Sequence, residues 1–298
     1  MLITALRAMG LVAVDARGRL APSDLAAEHL VPGAPFDVSD YAGLAATSSG
    51  VLAMVERLKT NRPVGADRSG AGAPFTSRAG TPSAMEHPEL SRRFTLSLAG
   101  RSRSVAPVVA ERLSVGGART VLDVGGGTGL YSIALLQRSP ALRAMVFDRP
   151  QVLRVTAELA ARHGVANRLD CVAGDMFVDP LLEADLVLLS NLLHDWDVPD
   201  CERPVRRCAV SMRPGGKLVI HDAFLHDELD GPLPVALYSA ALFCRTEGRA
   251  YSAAEHAAWL RASGLTVEGP TPTLAHSSLL VGSRPAEGVT PTDQGQSR

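Results

Sequence analysis

The chain has 298 residues, a formal net charge of −1 and a hydrophobic content of 46%. This length suffices for a large core and about two domains, and the near-neutral charge excludes an overall field that would attract nucleic acid or an anionic membrane. No apolar run reaches the roughly 18 residues of a membrane span, and the four cysteines form no CxxC pair. We therefore expect a cytoplasmic protein with reduced thiols and no metal site.

The first 30 residues predict a helix, a short hairpin and a second helix. Apolar residues between Leu2 and Met9 have helical spacing, residues 15–18 are a turn signal, and Ser23 is a typical helix N-cap. This order resembles the wing of a winged-helix module. Because Arg7 is the only cation of the first helix, a structural or dimerisation role is favoured over DNA binding.

Two further helices are predicted in the next part of the chain. The first covers residues 39–58 and the second covers residues 86–113, with an apolar stripe along one face. Residues 60–83, between them, are rich in Gly, Pro and Ser. We interpret this stretch as a loop or mobile cover.

The apolar stripe of the second helix is expected to lie mainly in the core. For Met85, Phe94 and Leu98, the alternative to a place in the core is contact with an aromatic substrate. Arg101 and Arg103 are expected in solvent rather than in catalysis, because long cationic side chains keep their heads in water.

Residues 120–129, with the sequence TVLDVGGGTG, predict a strand, a tight turn and the start of a helix. This is the first unit of a nucleotide-binding α/β sheet, and glycines let such a turn approach a ligand closely. The G-x-G-x-G spacing differs from the G-x-G-x-x-G of dinucleotide folds. Asp123 at the lip would repel phosphate and suit a cation such as the amino group of S-adenosylmethionine. An ordinary glycine-rich turn is the alternative.

Strands and helices alternate after this turn. The alternation predicts a doubly wound α/β sheet that binds ligands at the carboxyl ends of its strands. The predicted strands cover residues 143–147, 169–172, 184–189, 217–220, 266–268 and 277–282, and the predicted helices cover residues 151–163 and 200–212.

Carboxylates follow three successive strands of this pattern. Asp148 can accept both hydroxyls of a ribose, with a helix N-cap as a compatible alternative. Asp175 can accept from the amino group of adenine, beside an apolar wall of Met176 and Phe177; an ordinary turn aspartate is its alternative. Together with Asp123, these positions favour an adenosyl ligand.

The fourth strand ends at Ser190 and leads to a histidine that can act as a base. His194 would point into the ligand crevice, and its ordinary pKa suits proton transfer near neutrality. A structural histidine is the alternative. Asp222, after the fifth strand, could hold the tautomer of the ring.

Five segments together resemble the metal-independent small-molecule O-methyltransferases. This group includes plant caffeic acid and acetylserotonin O-methyltransferases and bacterial polyketide-tailoring enzymes, and the resemblance extends from about residue 6 to residue 284. The segments are LDVGGGTG (122–129), FDRP (147–150), GDMF (174–177), LLHDWD (192–197) and RPGGKLVI (213–220).

The resemblance implies a class I methyltransferase (Rossmann-like) sheet preceded by a truncated winged-helix or helical domain. It also implies that S-adenosylmethionine is the cofactor and that a hydroxyl of a small secondary metabolite, a phenol in our prediction, receives the methyl group. His194 would be the general base and Asp222 its partner, without a metal. The predicted cofactor-binding residues are Asp123, Gly125, Gly127, Asp148, Asp175, Met176, Phe177 and Ser190.

The predicted domains are a dimerisation and substrate-lid domain over residues 1–100, a catalytic domain over residues 101–285 and a disordered tail over residues 286–298. The chain begins inside the winged-helix region, without the leading helices through which relatives dimerise. A homodimer is therefore expected only with a full-length N-terminus; otherwise, residues 1–30 should expose apolar surface.

The sequence also departs from the family pattern at Ala250, which stands where the family has a glutamate beside the base. Glu247 is near this position in the sequence. This departure keeps two alternatives open: a member that binds S-adenosylmethionine but hydroxylates or catalyses a pericyclic reaction, and a non-catalytic binding protein. Tyr238, Leu242 and Phe243 are expected to contribute to the substrate pocket.

Overall fold

The computed structural model describes residues 1–63 and 87–284. Met85, most of the predicted loop over residues 60–83 and the predicted tail over residues 286–298 lie outside these residues. The helices are α1 (Leu2–Ala8), α2 (Asp24–His29), α3 (Ser39–Gly43), α4 (Ser49–Thr60), α5 (Pro88–Arg112), α6 (Leu130–Arg138), α7 (Pro150–Arg162), α8 (Val198–Ser211), α9 (Leu233–Arg245) and α10 (Ala253–Ala262). The strands are β1 (Val12–Val14), β2 (Leu20–Pro22), β3 (Thr120–Val124), β4 (Arg143–Asp148), β5 (Leu169–Ala173), β6 (Ala184–Ser190), β7 (Met212–Ala223), β8 (Thr266–Pro272) and β9 (Ser277–Ser283).

Seven strands form one sheet in the order β5-β4-β3-β6-β7-β9-β8. The strands from β5 to β7 run parallel to one another, and β9 is antiparallel to both of its neighbours. Val121 pairs with Ala144 on one side and with Leu186 on the other, which places β3 between β4 and β6. The winding reverses at this point, so a crevice opens beyond the carboxyl ends of β3 and β6. The predicted doubly wound α/β fold is confirmed.

The central strands are buried on both faces of the sheet. Leu122 and Leu186 are fully buried and belong to different apolar clusters. Leu122 lies in the cluster against α8 and α10, and Leu186 lies in the cluster against α5, α6 and α7. Continuous apolar strands are typical of parallel sheets covered by helices on both faces. Burial of each such side chain contributes roughly 1.5–3 kcal/mol, so the sheet is a rigid support for the groups at its strand ends.

The N-terminal part has the predicted helix, hairpin and helix. β1 pairs with β2 in antiparallel register, and the Ser23 hydroxyl accepts the Ala26 amide at the start of α2. The helix predicted over residues 39–58 is divided, because a 3-10 turn over Leu44–Thr47 is followed by extended backbone at Ser48. The N-terminal part contacts the sheet domain through Arg7, which binds the Leu229 carbonyl.

Helix α5 is the first described element after residue 86 and packs on the sheet domain. It runs without a break from Pro88 to Arg112, so the boundary predicted at residue 100 falls inside one element. Its buried face packs against α6 and α7. No helix among residues 1–63 and 87–284 is long and apolar enough to cross a membrane.

Candidate active site

A cleft of about 180 Å³ lies at the carboxyl ends of β3, β4, β5 and β6. Each of these strands supplies lining residues from the turn that follows it, and α5 closes one side with Phe94, Thr95 and Leu98. The alternative contact of Phe94 and Leu98 with a ligand therefore has a geometric basis. The cleft occupies the crevice that the topology of the sheet predicts.

The glycine turn after β3 forms one wall of the cleft with its backbone. Gly125 and Gly127 have positive φ angles of 66° and 58°, in the left-handed region that favours glycine. A Cβ atom on Gly125 would lie 2.8 Å from Cδ1 of Leu192, whereas one on Gly127 would have no atom within 4 Å. The wall is therefore closed against Leu192 at one end and open toward the cleft at the other.

Asp148 and Asp175 lie in the cleft beside this wall. The Asp148 carboxylate accepts the amides of Gly127 at 2.8 Å and Arg149 at 2.7 Å, and burial raises the pKa of Asp148. Asp175 accepts the Phe177 amide at 2.9 Å and the Arg149 guanidinium at 3.1 Å. The predicted N-cap role of Asp148 is wrong, because Arg149 is the N-cap of α7. Asp175 thus accepts a hydrogen bond within its own turn and also lines the cleft.

Two of the residues predicted to bind the cofactor have side chains that point away from the cleft. Asp123 is fully buried, and its carboxylate accepts the Ser132 hydroxyl at 2.8 Å; burial raises its pKa to about 7. Ser190 is bonded through its hydroxyl to Nδ1 of His221 at 2.8 Å. Neither side chain is among the described residues that line the cleft, because both point into packed parts of the sheet.

His194 lies in a short 3-10 turn after β6 and pairs with Asp222 at the end of β7. Its Nδ1 lies 2.7 Å from Oδ1 of Asp222, and both residues are buried. Burial alone would lower the pKa of His194, but the charges of Asp222 and Asp195 and the hydrogen bond to Asp222 outweigh it and raise the pKa. Burial would raise the pKa of Asp222, but nearby His194 lowers it to about 2. Asp222 is therefore an anion, which keeps a proton on Nδ1 and leaves Nε2 as the basic nitrogen.

Two side chains lie near Nε2 of His194, and a third lies behind one of them. The Tyr238 hydroxyl is 3.1 Å away and Oδ1 of Asp195 is 3.8 Å away. The Arg101 guanidinium lies over the Tyr238 ring, 5.7 Å from its centroid, and donates to the Ser277 hydroxyl at 3.0 Å. Arg101 is half-buried rather than fully in solvent, because Ser277 and the Tyr238 ring hold its guanidinium. Arg103 is exposed, as predicted.

The position of the missing glutamate is apolar. Ala250 is fully buried and packs in a cluster with Val235 and Ala236, and Glu247 contacts this region through its amide, which donates to the Asp195 carbonyl. A Cβ atom on Gly248 would collide with the carbonyl oxygens of His194 and Trp196, so glycine is required there. The loop around residue 248 therefore supports the base through its backbone.

Of the residues expected in the substrate pocket, Tyr238 contacts the base, Leu242 is buried and Phe243 packs under the Arg57 guanidinium. Sequence reasoning missed Asp195 and Arg149, although each adjoins a residue that was singled out. Asp195 lines the cleft and also lies near His194, so it connects the cleft to the base.

The cleft fits an adenosyl ligand with a positive charge. Asp148 and Asp175 retain lone pairs for hydroxyl and amino donors, and the open backbone at Gly127 leaves room for a ligand chain. Met176 and Phe177 add apolar lining. The Asp195 carboxylate, at the end of the cleft near His194, suits a cationic centre.

Comparison with known proteins agrees with this geometry. A family model described as an O-methyltransferase domain matches residues 65–266. The chain is 33% identical over 266 residues to a 3-hydroxy-5-methyl-1-naphthoate 3-O-methyltransferase of Streptomyces sahachiroi, which covers 88% of this chain and 74% of that protein. It is 34% identical over 188 residues to a mitomycin biosynthesis 6-O-methyltransferase of Streptomyces lavendulae, which covers 63% of this chain and 53% of that protein.

A solved structure is similar over nearly the whole chain. An O-methyltransferase family 2 protein of Planctomyces limnophilus, in complex with apigenin, has a TM-score of 0.83 and 43% identity, and the match covers 95% of this chain and 80% of that one. The chain thus spans about half to four fifths of the length of these relatives. The matched domain contains both the cleft and the His194–Asp222 pair, and the chain belongs to the S-adenosylmethionine-dependent O-methyltransferase family.

Proposed function

We propose that this enzyme methylates a phenolic hydroxyl of a small aromatic acceptor and that His194 is the general base. The observation that carries the proposal is the 2.7 Å contact between Nδ1 of His194 and the buried Asp222 carboxylate, because it leaves Nε2 to accept a proton. When bound, S-adenosylmethionine supplies a methyl group on a positively charged sulfur. Holding the acceptor beside that group makes the transfer effectively unimolecular.

The acidity of the acceptor decides whether His194 is a strong enough base. A phenol has a pKa near ~10 and an ordinary histidine one of about 6.5, a gap that costs roughly 4.8 kcal/mol if the proton moves completely before attack. The raised pKa of His194 narrows this gap, and the Asp222 carboxylate stabilises the imidazolium that forms. An aliphatic alcohol is a far weaker acid, so a phenol is the better match.

We infer roles for the cleft residues from their positions. Asp148 would accept the ribose hydroxyls and Asp175 the adenine amino group, with Met176 and Phe177 against the flat base. The contacts that support this assignment are the amide donors that hold Asp148 and Asp175 in the cleft. Gly127 would lie against the chain of the ligand.

The acceptor class is inferred from the relatives and from α5. The Streptomyces sahachiroi relative is named for a hydroxynaphthoate and the Planctomyces protein was solved with apigenin, both flat aromatic molecules with hydroxyls. Phe94 and Leu98 give the cleft an apolar edge, which favours an aromatic acceptor.

We further propose that the protein works in the cytoplasm on small molecules, rather than on nucleic acid or at a membrane. Residues 1–100 would serve as a dimerisation and substrate-lid part and residues 101–285 as the catalytic part, and a homodimer would form with a full-length N-terminus. Its cysteines at positions 171, 201, 208 and 244 are all unpaired, which suits a reducing compartment. Phe36, Tyr41 and Leu44 are 61%, 79% and 76% exposed, and a set of exposed apolar side chains on one part of a chain supports an interface there.

The test is the mass of the product. The protein is incubated with S-adenosylmethionine and separately with apigenin, a hydroxynaphthoate and an aliphatic alcohol of similar size. A gain of one methyl group on the two phenols and none on the alcohol is expected. The alternative function is hydroxylation or a pericyclic reaction, and Ala250 supports it because the base lacks a second carboxylate at that position. A gain of oxygen, or conversion without a change of mass, would favour this alternative.

A further inference from the structure

The basic nitrogen of His194 is already hydrogen-bonded. Because Nδ1 pairs with Asp222, the acceptor proton must arrive at Nε2, and the Tyr238 hydroxyl lies 3.1 Å from this atom. The two rings meet edge to face, with centroids 5.5 Å apart and planes at 77°. His194 itself is only 5% exposed. A phenol of the protein thus occupies the place from which a proton is delivered.

Neighbours on two sides hold the Tyr238 ring. It packs against an apolar cluster that includes Ala236 and Ala250, and the Arg101 guanidinium lies over the ring. Arg101 is tied in turn to the Ser277 hydroxyl at the start of β9. An acceptor could reach Nε2 directly only by displacing a side chain that is packed in this way. A proton could instead pass through the Tyr238 hydroxyl with the ring in place.

We propose that Tyr238 is a catalytic proton relay between the acceptor hydroxyl and His194, an inference that rests on the proposed function. The acceptor O–H bond breaks as its oxygen bonds the methyl group, and the electron pair of the broken S–CH₃ bond stays on sulfur. The acceptor proton goes to the Tyr238 oxygen, and the Tyr238 proton goes to Nε2 of His194. The resulting imidazolium is paired with the Asp222 anion, and Tyr238 ends as a neutral phenol.

The acidity of tyrosine suits this exchange. A phenolic acceptor and an ordinary tyrosine both have pKa values of about 10, so the two hydroxyls belong to one class of acid. Burial and the charge of Asp222 raise the pKa of Tyr238 to about 12, while Arg101 acts in the opposite direction. Tyr238 therefore stays protonated at neutral pH and releases its proton only as it receives another. Arg101 stabilises the partial negative charge that develops on the ring oxygen during the exchange.

The first test replaces Tyr238 with phenylalanine, which removes the hydroxyl and keeps the ring. We expect kcat for a phenolic acceptor to fall by about 10²-fold, with little change in the KM of the acceptor. The double variant Tyr238→Phe/His194→Gln should be no slower than His194→Gln alone, because both changes interrupt one proton path. Tyr251→Phe is the control: it also removes a buried hydroxyl, which here donates to the Trp196 carbonyl at 2.6 Å and does not contact His194.

Two further measurements separate a relay from a structural contact. In mixtures of light and heavy water, a plot of the rate of the natural enzyme against deuterium content should be curved, because two protons move in the step. The same plot for Tyr238→Phe should be linear. Without ligands, NMR should show a higher pKa of His194 in Tyr238→Phe, because the hydroxyl donates to the neutral ring. The other groups that face His194, namely Asp222, Asp195, Arg101 and His256, are unchanged in this variant.

An unchanged or higher kcat in Tyr238→Phe would overturn the relay and identify Tyr238 as a side chain that the acceptor displaces. A linear rate dependence in the natural enzyme would also overturn it. In both cases methylation of phenols by the natural enzyme leaves the proposed function intact. Failure of the natural enzyme to methylate any phenol would instead reject the proposed function and the relay with it.

Discussion

The cofactor half and the base half of the site are held by different kinds of contact. In the cofactor half, Asp148 and Asp175 accept backbone amides at 2.7–2.9 Å, from Arg149 and Phe177 in their own turns and, for Asp148, also from Gly127 in the neighbouring glycine turn. In the base half, Asp222, His194 and Tyr238 contact one another through side chains that come from separate elements. A turn fixes a group locally, whereas a chain of side chains depends on every member. Changes in the first half should therefore alter binding, and changes in the second should alter turnover.

His194→Gln should have the largest effect and should act on turnover alone. We expect methylation of a phenol to fall by about 10²–10⁴-fold, because glutamine cannot accept the proton. Affinity for S-adenosylmethionine, measured by calorimetry, should not change, since His194 is not among the described residues that line the cleft. His163→Gln makes the same replacement at an exposed position and should leave both quantities unaltered. Full turnover in His194→Gln would contradict the assignment of turnover to the base half of the site.

Asp148→Ala should show the opposite pattern. Loss of its hydrogen bonds to the ligand should weaken S-adenosylmethionine binding by roughly 1–3 kcal/mol, while the rate at saturating cofactor should approach that of the natural enzyme. Calorimetry and initial rates over a wide range of cofactor concentration measure the two effects. Asp170→Ala, a change at an exposed carboxylate paired with Arg143, is the matched control. A loss of rate that persists at saturation would show that the halves are not separable.

Asp123→Asn should have the smallest effect on affinity and turnover, because Asp123 lies behind the glycine turn. Its effect should appear in stability. The pKa of Asp123 is raised from 3.8 to about 7 in the folded protein, so between these values the folded state binds more protons than the unfolded state. The natural protein should therefore lose stability as pH rises from about 4 to about 7, and Asp123→Asn should lose less. Denaturant unfolding at several pH values measures this difference, and identical pH profiles would contradict the placement of Asp123.

Position along the chain explains which parts of the site could be predicted from the sequence. Asp148 is the last residue of β4, and Asp175 and His194 lie in the turns after β5 and β6, so the rule that ligands bind at strand ends was enough to find them. Asp123 is also near a strand end, but it lies within β3, and its side chain points into the packed interior. Helical residues such as Arg101 and Tyr238 carry no such signal. Only tertiary packing brings them to the base.

The central claim is that Asp222 holds the proton of His194 on Nδ1 and leaves Nε2 to accept the proton from the acceptor. The most direct test is ¹⁵N NMR of the imidazole of His194 in the ligand-free protein, across a pH titration. The account predicts a pKa above the ordinary 6.5. Above that pKa it predicts a neutral ring with its proton on Nδ1 and an Nε2 that carries no proton and can accept the Tyr238 hydroxyl. A neutral ring with its proton on Nε2 would contradict the account, because that nitrogen could not then receive the acceptor proton.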